Sequence, residues 1–99
     1  MEALRVRSVD KTQTIGLSFM APRIDEFAGF EVRMYSHDHG PPHVHVLKGK
    51  AELRIYLDDE HSPERVFGRM KASDERLALK IVSKRRWKYL QRWEEIDPQ

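Results

Sequence analysis

From Phe30 to Leu57 the chain alternates apolar and polar residues with a period of two, broken only by two turn-like stretches. That period places successive side chains on opposite faces of an extended backbone, and a helix cannot use it. Phe30-Glu31-Val32-Arg33-Met34-Tyr35 alternates first. Ser36 to Pro42 reads as a loop, since Gly40-Pro41-Pro42 cannot continue a hydrogen-bonded ladder. His43-Val44-His45-Val46 resumes the pattern, Lys48-Gly49 reads as a tight turn, and Ala51 to Leu57 is the clearest strand. A short strand is expected within Arg65 to Met70. Weaker alternation occurs at Leu4 and Val6 and at Ile15, Leu17 and Phe19, where Gly16 intervenes.

The last third changes period. Ser73 reads as an N-cap, with Asp74 and Glu75 in the first turn where the helix dipole favours acids. Nothing breaks a helix from there to about Trp93, and Pro98 follows. At 100° per residue, Ala78, Leu79, Val82, Tyr89, Leu90 and Trp93 fall within an arc of about 120°. Lys80, Lys84, Arg85, Lys88, Gln91 and Arg92 take most of the opposite side. Arg86 falls inside the apolar arc, where it must either snorkel to a rim or meet a carboxylate, the latter expected near a strand end in the Asp58–Glu60 cluster. The fold expected is α+β: an antiparallel sheet of three to five strands with one long C-terminal helix packed on one face. A single domain over 20–96 accounts for the pattern, with 1–19 as an extension or an extra strand.

The 99 residues contain no cysteine, so any metal must be held by His and carboxylate ligands. Lys and Arg number 18 against 16 Asp and Glu, a net charge of +2 that by itself names no partner. No apolar run approaches the roughly 20 residues of a membrane span, and no signal-peptide core is visible, so a cytoplasmic protein without a membrane partner is expected.

Four of the five histidines, His37, His39, His43 and His45, crowd the central loop and strand. A turn at Lys48-Gly49 predicts Val46 opposite Ala51, His45 opposite Glu52, Val44 opposite Leu53 and His43 opposite Arg54. Glu31, Arg33 and Tyr35 then join His43, His45, Glu52, Arg54 and Tyr56 on the face away from the helix. Histidines at i and i+2 lie about 7 Å apart, close enough to share one ion. Asp38 or His39 is the candidate third ligand, Glu52 is placed to orient His45, and zinc or manganese suits such a set. Without a metal, His43 or His45 serves as general acid–base, with Arg33 or Arg54 on a phosphoryl charge and Tyr35 alongside. His43-Val44-His45 also matches the His-hydrophobe-His core of single-strand nickases, but Tyr89, the helical tyrosine, falls on the core-facing stripe. A purely architectural role is the other alternative: Asp38 capping the loop, Pro41-Pro42 stiffening it, His39 bonding across it.

Asp38-His39-Gly40-Pro41-Pro42-His43-Val44-His45-Val46 resembles a family of small bacterial proteins of unknown function. That family carries Asp-His-x-Pro-Pro-His-x-His-Val after a strand ending in an apolar residue and Tyr, here Met34-Tyr35. Pro22-Arg23-Ile24, Phe27 and Gly29 fit its usual start, and Trp93 its helical end; residues 1–19 depart from it. The resemblance implies a setting like a toxin–antitoxin pair and settles no chemistry. Two functions are therefore expected. One is an interaction module binding a small cognate protein or nucleic acid, the latter through Lys80, Lys84, Arg85, Lys88 and Arg92 in the acid-free stretch Leu77 to Trp93. The alternative is a metal-assisted or His-dependent phosphodiesterase; the sequence leaves open whether the protein is an enzyme.

Overall fold

A computed structural model describes residues 23–35 and 40–96. Five strands, β1 (Arg23–Phe27), β2 (Phe30–Arg33), β3 (His43–Lys48), β4 (Ala51–Tyr56) and β5 (Glu64–Phe67), precede two helices, α1 (Ala72–Lys84) and α2 (Arg86–Ile96). The strands form one antiparallel sheet in sequence order, β1-β2-β3-β4-β5. Each strand pairs with the next, as short connections favour. The α+β architecture expected from the change of period is the one observed. Residues 1–19, and the alternation seen within them, lie outside the described residues.

One face of the sheet holds the core. Phe30, Val32, Met34, Val44, Val46, Ala51, Leu53, Ile55 and Leu57 cluster with Met70 and the helical residues Ala78, Val82, Tyr89 and Trp93. The helical members keep one 100° phase, so the apolar arc read from the sequence is the buried one. The helix itself is not continuous. Arg85 breaks it with φ −104° and ψ 14°, while its amide still bonds the Ile81 carbonyl at 3.0 Å. No glycine or proline marks the break. It coincides with the Arg85 guanidinium reaching Asp25 on β1, 60 residues away in the chain, at 2.7 Å. The start also differs: α1 begins at Ala72 after Lys71, with no side-chain cap, and Ser73 lies inside the first turn. Asp74 instead receives Lys48 at 3.1 Å, tying that turn to the end of β3.

The β3–β4 hairpin is two residues out of the expected register. Lys48 faces Ala51, His45 faces Arg54 and His43 faces Tyr56. The loop is Gly49-Lys50, with Gly49 at φ +61°. A two-residue hairpin with glycine first is the type II′ turn, whose twist suits the flanking strands. A shift of two preserves parity, so the alternation of faces is kept along the ladder while every partner changes.

Candidate functional site

The face opposite the core carries two rows of functional groups across β2, β3 and β4. Arg33 and Arg54 flank His45 directly, and Tyr56 pairs with His43. Tyr35 leaves the end of β2 and stacks on the His45 ring, 4.2 Å between centroids. The His43 ring lies 5.2 Å from that of His45 and 5.6 Å from that of Tyr56. Catalytic candidates His43, His45, Tyr35 and Arg54 therefore form one patch.

Both imidazoles have a defined tautomer. A carbonyl oxygen only accepts, so His43 donates its Nδ1–H to the Pro41 carbonyl at 2.8 Å. His45 donates its Nδ1–H to Glu52 Oε2 at 2.7 Å. In the neutral rings the lone pair is then on Nε2, the arrangement used by general bases and metal ligands alike. Glu52 orients His45 as expected, but as a diagonal neighbour rather than an opposite one, since Leu47 faces Glu52. Metal candidates His43 and His45 are adjacent; Asp38 and His39 lie outside the described residues.

This face is not the open polar surface its composition suggests. His43, His45 and Glu52 are all buried. His43 also does not point away from the helices: its ring is 5.1 Å from that of Trp93 on α2. His43 opens β3, so this contact falls at the strand end. Arg54 is engaged too. Burial works against its charge, but the Tyr56 hydroxyl and the Glu64 carboxylate, 2.8 Å away, outweigh this and raise its pKa. Among the described residues its Nε is buried with no hydrogen-bond partner.

Among the described residues, Asp58, Glu60 and His61 have ligand atoms within 4.8 Å of one another. Asp58 there accepts the amides of Glu60 and His61, each at 3.0 Å, and the His61 ring at 2.7 Å. These bonds close a surface turn on itself.

The helical cations divide by position. Arg85 is on the sheet side, where with Tyr89 it holds Asp25; both bonds are 2.7 Å. Burial and the bond to Asp25 push the Tyr89 phenol well above its ordinary range, and the ring itself is buried in the core. Lys88 reaches within 3.5 Å of Asp25 from a half-exposed position, and Arg92 pairs with Glu95 at 3.0 Å. Lys80 and Lys84 are exposed and make no ion pair among the described residues. Arg86 meets Asp59 at 2.7 Å, inside the expected cluster, but with 41% of its side chain exposed. The sequence reading missed Trp87, which is 66% exposed among these lysines. The wheel held the signal, because 100° per residue sets Trp87 about 60° outside the apolar arc, beside Lys80.

The fold and site define a small α+β domain, an antiparallel meander with a buried His–Glu pair and a two-helix C-terminal layer. Residues 29–94 match the family described as Domain of unknown function (DUF4160), and the chain belongs to that family. No curated protein and no solved structure matches the chain. β1, which supplies Asp25, lies just before the matched span. Among the described residues no helix is long and apolar enough to cross a membrane.

Proposed function

We propose that the protein is an interaction module, one half of a toxin–antitoxin-like pair, that holds nucleic acid on the outer face of its helices. The observation that carries this is the exposed helix face bearing Lys80, Lys84 and Lys88 within the acid-free stretch Leu77 to Trp93. Arg85 and Arg92, hydrogen-bonded to carboxylates, contribute less, and Lys88 shares its charge with Asp25 3.5 Å away. Lysines on a helix face contact phosphates and supply affinity without reading sequence. Binding through three phosphate contacts has a slope of log K against log salt of about −2 to −3. Titrating a nucleic acid at several salt concentrations measures it, and Lys84→Ala with Lys88→Ala lowers the slope to about −1. A slope near zero rejects the reading.

A second reading is favoured by the His45–Glu52 hydrogen bond at 2.7 Å. It is a His-dependent phosphodiesterase, metal-assisted if His43 and His45 bind zinc or manganese with Asp38 or His39. His45→Gln keeps a side chain of similar reach and removes the base. Cleavage of an oligonucleotide by the wild type and not by His45→Gln supports it, and metal content measured on untagged protein separates its two forms.

A further inference from the structure

We infer that Trp87 is a base-stacking platform and that the outer helix face takes single-stranded nucleic acid. This rests on the nucleic-acid reading above and narrows it from a polyanion to a single strand with unpaired bases. Trp87 is the most exposed large apolar residue described, more so than Val66 and Phe67 on β5. It gains nothing from the core: α1 and α2 bury Ala78, Val82, Tyr89 and Trp93, and the same helical phase sets Trp87 outside their arc, on the exposed side. Its neighbours on that side are Lys80, Lys84, Lys88 and Gln91, all exposed.

The combination selects the ligand. Cations alone fit any polyanion, and an exposed indole alone fits any apolar surface. An indole set among lysines, with no acid from Leu77 to Trp93 in the sequence, fits a ligand that alternates anionic backbone with flat aromatic faces. Duplex bases are stacked on each other and cannot meet the ring, whereas those of a single strand can. Of the nearby acids, Asp25 is held by Arg85 and Tyr89 with Lys88 3.5 Å away, Asp59 by Arg86 and Glu95 by Arg92, and Glu94 lies a full two turns beyond Trp87. None of them pairs with Lys80 or Lys84, which leaves those two cations beside Trp87 to meet phosphate.

The experiment titrates the full chain with a short oligouridylate, a duplex of equal length and heparin, following tryptophan fluorescence and, separately, anisotropy of labelled ligand. Exposed Trp87 is quenched by the oligouridylate, and buried Trp93 is not. Trp87→Ala weakens oligouridylate binding roughly 5- to 100-fold, the range of one base–aromatic stack. Trp87→Phe restores most of it, and heparin binding is the same in all three proteins. If oligouridylate and heparin both bind but Trp87→Ala changes neither, stacking is overturned while the phosphate-contact reading stands. If no polyanion binds at low salt, both fall together.

Discussion

Replacing Asp25 by Asn tests whether β1 is integral to the domain or an appendage beside the family core. The Asp25 side chain is only 12% exposed. Burial by itself would raise its pKa, but hydrogen bonds from Tyr89, Arg85 and the Glu26 amide, with the charge of Lys88, bring it from 3.8 down to about 2. A pKa lowered by folding means the charged form is the stabilised one. The contribution is therefore complete above the unfolded value of 3.8 and disappears as the pH falls through 2. The difference of nearly two pK units corresponds to about 2 kcal/mol at pH 7 and to about half of that at pH 3. Asn keeps the shape and one acceptor but loses the charge, so Asp25→Asn is expected to cost about 2 kcal/mol at neutral pH, or roughly 10 °C in Tm. Urea denaturation of both proteins from pH 7 to pH 3 measures it, and their stabilities should converge on the acid side. A cost below about 0.5 kcal/mol, the level of an ordinary surface change, or a gap that does not narrow with acid refutes the clamp.

Glu52→Ala leaves the buried His45 Nδ1–H without its acceptor and should cost about 2–4 kcal/mol in urea, while Glu52→Gln, which keeps an acceptor, should cost clearly less. Gly68→Ala should be among the most damaging small changes. Gly68 has φ +70°, and a Cβ there would sit 2.1 Å from the Lys50 carbonyl oxygen. Strain and the backbone clash together amount to about 2–4 kcal/mol, read as a drop in Tm. Arg86→Ala should lower the urea midpoint only slightly, by less than about 1 kcal/mol, because the Arg86–Asp59 pair is solvent-exposed. The sequence position suggested a buried, helix-orienting role for Arg86; Lys84→Ala, the matched control, should be neutral, and a large loss for Arg86→Ala would restore that role.

The alternation from Phe30 to Leu57 determined the sheet, its antiparallel sense and the faces of β2, β3 and β4, with His43 at the strand end the exception. Those depend on a period of two, which survives a shift of register by two. The register itself was decided by the backbone of the Gly49-Lys50 turn, and reading the loop one residue early changes every partner. β1 escaped notice because Arg23-Ile24-Asp25-Glu26-Phe27 sets two acids side by side, and Ala28-Gly29 is not a strong turn dipeptide. Only the folded chain shows that Asp25 is held by Arg85 and Tyr89.

The apolar stripe on the helices was legible for the same reason as the strands, since burial follows the helical phase. The break at Arg85 was not, because no local breaker causes it and the aspartate it meets is distant in sequence. The crowding of His43 and His45 was visible in the sequence, and so was the reach of Glu52. Their burial, the contact of His43 with Trp93 and the bond of His43 to the Pro41 carbonyl were decided in three dimensions. Sequence periodicity reports which way a side chain points; what lies there depends on elements that the chain brings back from far away.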